Sequence, residues 1–440
     1  MKAWSGKATP TPADNHGAVT NFPMNLKKIL NVIRGRPAHI KASVASAIHA
    51  AAGARHTFAA RTGRQAGMAG RRVAGLRSPA PGVLCASLCI LLASCNGTKH
   101  LYVATTGSDA NPGTRDEPLK TIARADALAR PGCTIHVGPG TYEVNAPSAR
   151  SAGIRTTKSG TASARIKFVS DVKWGAKIVF SGKGIAWNSK GAYVDIDGFD
   201  ISGTGRIGIL AEGGRENITN NFIHDLTVSG GCNSSGGAAI NIWGAVGGAV
   251  IDSNVIRNIC GQWLASRNCN TVQGIYVANH NNRISNNIIS GVASVGINSW
   301  HGATDSTIVN NTIFNSKMGI VIGQGDSGAT AVGTQNNYVA NNIVYRNAYG
   351  ISEMGKVGGN NRYIDNLVHS NGNNWRVKGT VSGTISADPL FMNYQPNGAG
   401  DYRLQSKSPA VGRGASNHLL PPPSTKKATE PVLEISEVDH

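Results

Sequence analysis

The segment Ile284-Ser285-Asn286-Asn287-Ile288-Ile289 sets two adjacent asparagines between isoleucines, and this arrangement returns along the chain. Similar segments occupy 218–223, 251–256, 308–313, 339–344 and 364–368. The last asparagine of each segment recurs at intervals of 33, 33, 24, 31 and 24 residues, so the basic period is near 24, with insertions in three repeats. A repeat of this length, built from short apolar segments, is typical of one coil of a solenoid.

A second repeated segment is a strand in which Gly or Ala precedes Ile. Its copies are Gly208-Ile209, Ala239-Ile240, Gly274-Ile275, Gly296-Ile297, Gly319-Ile320 and Gly350-Ile351. The two kinds of segment together predict three short strands per coil, and therefore an all-β fold that is a single right-handed parallel β-helix. Strands stacked about 4.8 Å apart pair their backbone groups with the coils above and below, while Ile and Val fill a dry interior.

The repeated asparagine has a structural explanation in such a fold. An inward Asn at a bend can hydrogen-bond to the same residue of the next coil, and this bond offsets the cost of burying the amide. We therefore expect residues such as Asn287 and Asn311 to form a ladder inside the solenoid.

Two segments are predicted to cover the ends of the solenoid, because an open end exposes unpaired backbone. Residues 101–144 include a stretch of helical period, Leu119, Ile122, Ala125 and Leu128, which predicts an N-terminal helical cap. Residues 385–414 are expected to close the other end. The predicted β-helix domain spans 95–414, and the charged segment 415–440, which includes three consecutive prolines, is predicted to be disordered.

The first 94 residues show no strand or helix period but contain the features of an export signal. After Met68 come Arg71, Arg72 and Arg77, then the apolar stretch 83–92, then Leu92-Ala93-Ser94-Cys95. This order predicts a lipoprotein signal peptide over 68–94, with Cys95 as the acylated N-terminus. Residues 1–67 are then an upstream extension without a fold, and the protein is expected in the cell envelope, at an outer membrane or the cell surface. A chance apolar run beside a cysteine is the alternative.

The formal net charge of +19 comes mostly from this N-terminal region. Residues 1–94 contain 13 Lys and Arg and one acid, so the rest of the chain has 30 basic and 23 acidic residues, a net +7. This remainder has no block of Lys and Arg with interleaved aromatic residues, which argues against a nucleic-acid partner and is compatible with an acidic glycan. We expect a monomer whose partners are a polysaccharide and, through the lipid anchor only, a membrane.

Four cysteines remain in the predicted domain: Cys133, Cys232, Cys260 and Cys269. Export would place them in an oxidising compartment, and the last three lie in neighbouring insertions, so one disulfide among these three is expected. We favour a bond between Cys260 and Cys269. A zinc site is the weaker interpretation, because no Cys-x-x-Cys pair or nearby His cluster has metal-ligand spacing.

The ends of the predicted domain resemble a known group of proteins. The opening stretches are Tyr102-Val-Ala-Thr-Thr-Gly-Ser-Asp109, Pro118-Leu-Lys-Thr-Ile122 and Gly138-Pro-Gly-Thr-Tyr142, and the closing ones are Asp388-Pro-Leu-Phe391 and Ser408-Pro-Ala410. They are similar to those of bacterial right-handed β-helix proteins, including lipoproteins, related to family nine pectate lyases. The resemblance covers about 100–414 and is more specific for the fold than for the reaction. It implies that the sheet of Gly-Ile strands lines a sugar-binding groove.

Two observations in the sequence favour the same sheet. The longest insertions, 226–237 and 258–273, precede its strands in neighbouring coils and would form one wall of a cleft. Strand alternation turns one set of side chains outward while isoleucines turn inward. This predicted substrate-binding set is Asn241, Trp243, Asn298 and Trp300, together with Gln273. Exposed aromatic side chains can stack on sugar rings, although aromatics covered by loops would give the same pattern.

The candidate catalytic residues are His280, His301, Tyr276 and Arg267, which lie near the ends of these strands or in the long insertion. Cleavage of a uronate by β-elimination requires a base, a group that stabilises the developing enolate and an acid for the leaving oxygen. His280 or Arg267 could be the base, Asn298 and Gln273 could bind the carboxylate, and Tyr276 or His301 could be the acid.

This hypothesis departs from the family that the sequence resembles, whose members use a lysine base and an acidic calcium cluster. The corresponding stretches, 274–280 and 295–300, contain neither lysine nor carboxylate. We therefore predict no cofactor and no metal ligands; calcium is compatible with the fold, but its acidic cluster is not seen.

Two other functions remain open. A glycoside hydrolase needs two carboxylates across the scissile bond, and the nearby acids Glu212, Asp225 and Asp305 do not share a coil position. A non-catalytic glycan-binding lipoprotein would use the aromatic residues alone. Lyase-like cleavage of an acidic glycan is the function that the sequence favours.

Overall fold

The computed structural model describes residues 100–233, 235–266, 268–325 and 333–413. The predicted extension, the signal peptide, the lipidation site Cys95, the C-terminal tail and the candidate base Arg267 lie outside these residues and stay predictions.

The chain winds through three parallel sheets and, from Thr134 onwards, visits them in the same order on every turn. Sheet A contains β1 (His100–Val103), β2 (Thr134–Val137), β5 (Ile166–Ser170), β8 (Val194–Asp197), β11 (Asn217–Thr219), β14 (Val250–Asp252), β17 (Arg283–Ser285), β20 (Thr307–Val309), β23 (Tyr338–Ala340), β26 (Arg362–Ile364) and β29 (Thr380–Ser382). Sheet B contains β3 (Gly140–Ala146), β6 (Ala176–Gly182), β9 (Asp200–Gly205), β12 (Phe222–Val228), β15 (Val255–Ile259), β18 (Ile288–Val292), β21 (Thr312–Phe314), β24 (Ile343–Tyr345) and β27 (Leu367–His369).

Sheet C completes each turn. It contains β4 (Ala152–Thr156), β7 (Ile185–Ser189), β10 (Ile207–Ala211), β13 (Gly237–Ile242), β16 (Val272–Val277), β19 (Val295–Ser299), β22 (Met318–Gln324), β25 (Tyr349–Gly355) and β28 (Asn373–Arg376). One strand from each sheet forms a coil, as in β14, β15 and β16. The protein is therefore a right-handed parallel β-helix, which confirms the predicted all-β fold class.

Isoleucines fill the interior in rows, one residue per coil. In sheet C, Ile209, Ile240, Ile275, Ile297 and Ile320 are register partners on successive strands and are fully buried. The Gly or Ala before each of them, such as Gly296, is also buried. A Cβ on Gly296 would lie 2.5 Å from the Ile313 side chain, so the small residue is needed where sheets B and C approach each other.

The predicted asparagine ladder lies at the corner between sheets A and B. Asn221, Asn254, Asn287, Asn311, Asn342 and Asn366 are all fully buried. The amide nitrogen of each of the first five donates to the amide oxygen of the next coil at 2.9–3.1 Å, and Asn366 ends the ladder. Shorter ladders occur at the other two corners, where Asn337 donates to Asn361 and Asn347 donates to Asn371. The sequence repeat predicted the first ladder but not the other two.

The N-terminal end is covered by the helix α1 (Ile122–Leu128). Thr121 caps it, because its side chain accepts a hydrogen bond from the backbone N–H of Arg124. Ile122 and Ala125 are buried against the core, and α1 contacts β1 and β4. No helix among the described residues is long and apolar enough to cross a membrane.

At the other end, Ile385 pairs with Leu367 on β27, the last strand of sheet B, but the rest of the predicted C-terminal segment does not close this end as expected. It forms an antiparallel pair, β30 (Phe391–Asn393) with β31 (Asp401–Leu404), and packs along the outer face of sheet B. There Phe391 and Tyr402 contact outward side chains such as Phe314 and Ile343. Because these outward side chains are apolar, leaving them exposed to water would be unfavourable, and the C-terminal strand pair buries them.

The favoured disulfide is also wrong. Cys232 bonds to Cys269, while Cys260 is a free, buried thiol. The prediction failed because Cys260 directly follows β15 and turns into the core, where its sulfur accepts a hydrogen bond from Val228 N–H at 3.1 Å. Cys133 is also buried and forms no disulfide.

Candidate functional site

A cleft of about 870 Å³ runs along the outer face of sheet C. The loops that precede β13 and β16 contribute one wall through Ser235, Gly236, Asn270 and Thr271. The Cys232–Cys269 disulfide joins these two loops to each other. The long insertions therefore line one cleft, as the sequence predicted.

The wall is also tied to the solenoid. The ammonium group of Lys317 donates hydrogen bonds to the Cys269 carbonyl and the Asn270 side chain, both at 2.9 Å. Partial burial lowers the pKa of Lys317 from its usual value. At Gly231, which has a φ of +53°, the first loop lies directly against the Trp263 ring of the second loop. The two insertions thus form a single cross-linked wall.

The floor of the cleft consists of outward side chains in register. Asn188, Leu210, Asn241, Tyr276, Asn298 and Val321 are partners on β7, β10, β13, β16, β19 and β22, and all six line the cleft. The predicted residues Asn241, Tyr276 and Asn298 are therefore brought together on three adjacent strands. We call this series the floor row.

Two aromatic rings contact one histidine, His301, beside the floor row. The ring of His301 lies edge-on to Trp243, at 5.3 Å between centroids, and edge-on to Tyr276, at 6.0 Å. Trp243 is 45% exposed, so its face is available to a ligand. His301 follows β19 in a tight turn with a φ of +55°, and its carbonyl accepts a hydrogen bond from Thr334.

Trp300 lines the cleft but also has a packing role. It lies against the apolar side chains of Val295, Met318 and Val321. A Cβ on Gly323 would lie 2.7 Å from the Trp300 ring, so this glycine lets the ring rest on β22. Trp243 is therefore the more exposed surface for stacking.

Gln273 is a buried part of the cleft lining. With its amide oriented to satisfy its neighbours, the nitrogen donates to the carbonyls of Gly237 at 2.8 Å and Thr271 at 3.0 Å. The side chain thus fixes the base of the wall. This contact adds a positioning role to the predicted carboxylate-binding role.

His280 lies outside the cleft lining. Ser299 pairs with Val277, so His301 comes two residues after this pair, whereas His280 comes three residues after it. The His280 side chain is exposed and bonds to Asn281 at 2.8 Å. Both histidines thus lie in the turn between sheet C and sheet A, in successive coils, but at different positions of that turn, and only His301 lines the cleft.

The sequence analysis missed a group of cations at the N-terminal end of the cleft. Arg150, Arg155, Lys190 and Arg206 line it there. Arg206 donates to the Gly236 carbonyl at 3.1 Å, and Lys190 is 3.2 Å from Glu212. A signal was available, because Gly153-Ile154 in β4 repeats the Gly-Ile pair and places Arg155 outward.

Carboxylates are few in the cleft. Among the described lining residues only Glu212 is acidic, and it pairs with Lys190. Asp225 instead pairs with His224 beside sheet B, and Asp305 accepts a hydrogen bond from Asn336. Within the described parts of the chain, no group of three or more His, Cys, Asp or Glu could hold a metal ion. The described carboxylates of the cleft therefore do not form the acidic calcium cluster of the family that the sequence resembles.

Comparison with known proteins supports the resemblance. Residues 101–241 match the family model described as "Pel9A-like, right handed beta helix region". A segment of 43 residues is 44% identical to the uncharacterized protein YwoF of Bacillus subtilis (strain 168), and it covers 10% of this chain and 9% of that protein.

Solved structures with a similar backbone include two lyases. The pectate lyase Pel9A superposes with a TM-score of 0.48 at 16% identity, over 70% of this chain and 90% of that one. The alginate lyase from Paenibacillus sp. str. FPU-7 superposes with a TM-score of 0.46 at 17% identity, over 66% of this chain and 96% of that one.

Proposed function

We propose that the protein binds an acidic polysaccharide in the sheet C cleft and cleaves it by β-elimination. The observation that supports this most is the presence in one cleft of four cations, an exposed tryptophan and a contacting His301–Tyr276 pair. The exposed face of Trp243 suits a sugar ring, and the cations suit a uronate carboxylate.

The charge of the cleft favours an anionic ligand. Arg150 and Arg155 are exposed at the cleft surface, while the single described carboxylate is already paired. A cleft lined by one sign of charge focuses its field and raises the local concentration of an oppositely charged ligand. Guanidinium groups also bind carboxylates through two parallel hydrogen bonds.

The chemistry needs one base and one acid on the scissile uronate. The base removes the proton from the carbon next to the carboxylate, and the electron pair forms a carbon–carbon double bond as the bond to the leaving oxygen breaks. The acid gives its proton to that oxygen, so no water is consumed. His301 is the base and Tyr276 the acid in this proposal, since His280 lies outside the cleft, and Asn298 faces the carboxylate.

The test is incubation with pectate, alginate and glycosaminoglycans, with the near-ultraviolet absorbance of unsaturated uronates and the new reducing ends both measured. We expect absorbance with at least one substrate, and a fall of about 10²-fold or more in His301→Ala and Tyr276→Phe, because each loses a proton-transfer group. Affinity for the glycan should be largely retained. His280→Ala is the matched control and should cleave like the parent.

Other outcomes separate the remaining functions. Retention of a glycan without cleavage of any substrate would indicate a non-catalytic glycan-binding protein. New reducing ends without absorbance would indicate a hydrolase, which the described cleft does not favour because it offers one paired carboxylate.

We also propose that the protein is anchored in the cell envelope through an acylated Cys95. The support is the charged segment, apolar stretch and Leu92-Ala93-Ser94-Cys95 in the order that export requires. Cys95 precedes the first strand by only a few residues, so the solenoid would lie close to the membrane.

A further inference from the structure

Six side-chain oxygens on the strands of sheet C are buried and have no hydrogen-bond partner in the described protein. Two of them, Ser189 and Ser299, lie in the row of Ala211, Ile242 and Val277. The other four belong to Asn188, Asn241, Asn298 and Ser352. Asn188 and Asn298 are 4% and 6% exposed and line the cleft. A buried polar group without a partner is costly, so its presence needs an explanation.

These four residues occupy one row at every second coil. By register, Asn188 is followed by Leu210, then Asn241, Tyr276, Asn298, Val321 and Ser352. The floor row, continued by Ser352 on β25, thus alternates an amide or hydroxyl with an apolar or aromatic side chain. Equivalent polar groups are two strand spacings apart, about 10 Å.

A linear sugar polymer has a matching periodicity. In an extended 1,4-linked chain, neighbouring rings face opposite ways, so the same edge recurs at every second ring. Each ring also advances by nearly one strand spacing, the distance between two neighbouring strands of a sheet. A chain lying along the solenoid axis would therefore present the same group to each amide of the floor row.

Building on the proposed function, we infer that an extended polyuronate lies along the solenoid axis with one ring per coil, and that carboxylates on alternate rings bind Asn188, Asn241 and Asn298. Each side-chain amide carries two N–H donors for a carboxylate and an oxygen that can accept from a sugar hydroxyl. Leu210 and Tyr276 contact the rings between them.

The N-terminal end of the row fits this arrangement. Arg155 is the register partner of Asn188 on β4, is exposed and lines the cleft. It would meet the ring beyond Asn188, where Arg150 and Lys190 also line the cleft. A hexasaccharide bound at the His301–Tyr276 pair therefore reaches these charged groups, whereas a trisaccharide bound at that pair does not.

The test compares a trisaccharide and a hexasaccharide of mannuronate by calorimetry. Three rings reach from Asn298 to Asn241, and five rings are needed to reach Asn188. Asn188→Leu should weaken the hexasaccharide about tenfold, as expected for one lost hydrogen bond to a charged group, and change the trisaccharide less than twofold. Asn241→Leu should weaken both.

Asn393→Leu, on the exposed strand β30, is the matched control and should bind both ligands like the parent. Asn188→Ser and Asn241→Ser replace any leucine variant whose melting temperature shows that it is misfolded. If the parent binds but Asn188→Leu weakens both ligands equally, or neither, the one-ring-per-coil arrangement is wrong while the proposed function stands. If oligomers of mannuronate, guluronate and galacturonate all fail to bind, the proposed function itself is wrong.

Discussion

Single asparagines in the ladder stabilise the solenoid because each is both donor and acceptor. Asn287 donates to Asn311 and accepts from Asn254, at 2.9 and 3.0 Å. Replacing Asn287 by Leu should lower the free energy of unfolding by about 1–3 kcal/mol, since two buried amides lose a partner. Urea denaturation measures this, with Asn393→Leu as the exposed control. Equal midpoints for Asn287→Leu and the parent would contradict the ladder.

Glu216 should make stability depend on pH. Its carboxyl is 1% exposed, and burial raises its pKa from 4.5 to about 7, although the Gly213 N–H donates to it. The folded state therefore binds the proton more tightly than the unfolded chain, so this contribution is complete below pH 4.5 and is lost as the pH rises through about 7.

The free energy of unfolding should fall by an amount on the order of 3 kcal/mol as Glu216 loses its proton. Glu216→Gln keeps the acceptor oxygen without the charge and should remove this part of the pH dependence. Chemical denaturation of both proteins between pH 4 and 8 is the measurement. Parallel curves for the two proteins would show that Glu216 does not titrate in this range.

At the residue scale, strand alternation was sufficient to predict the outward set Asn241, Tyr276 and Asn298. It could not show how far a side chain reaches beyond its strand, so His280 was placed wrongly. Arg155 was missed because the coils before residue 208 lack the asparagine segment, although they contain the Gly-Ile pair.

At the scale of elements, the disulfide joins the two loops that form the cleft wall. Reduction should lower the melting temperature of the parent, since a bridge of this kind typically contributes about 2–4 kcal/mol. Cys232→Ala/Cys269→Ala should melt at a temperature that reductant does not change. Cys260→Ala should keep the reductant effect, whereas loss of that effect would favour a bond from Cys260.

The strands were predictable as elements because each has a residue that must be small or apolar at a fixed place. Contacts between loops were not predictable, because the disulfide pairing among Cys232, Cys260 and Cys269 depends on which cysteine side chain turns into the core. The C-terminal segment was placed wrongly for a related reason. The apolar outer face of sheet B is visible only once the register is known, as with Phe314 and Ile343.

At the scale of the whole molecule, we expect a mature protein that begins with an acylated Cys95. Mass spectrometry of the membrane fraction should show a lipid-modified N-terminal peptide and no peptide from 68–94. Cys95→Ser should release the protein from the membrane fraction while the β-helix stays folded. A mature N-terminus upstream of Ala93 would refute the anchor.

Six repeats predicted the whole solenoid, because a coil that buries its apolar face only against its neighbours must recur at a near-constant length. The cleft was predictable only as a location, from adjacent insertions. Its charge depends on Arg150, Arg155, Lys190 and Arg206, which come together from separate coils and loops. These four residues do not recur at a regular interval, so the sequence alone does not identify them as a group.

The central claim is that the sheet C cleft binds an acidic polysaccharide. The most direct measurement is calorimetry of the parent and of Arg150→Gln/Arg155→Gln with a polyuronate and with its methyl ester. We expect the variant to bind the polyuronate about tenfold more weakly, because two charge-assisted contacts are lost, and the ester equally well. Equal affinity of both proteins for the polyuronate would contradict the account.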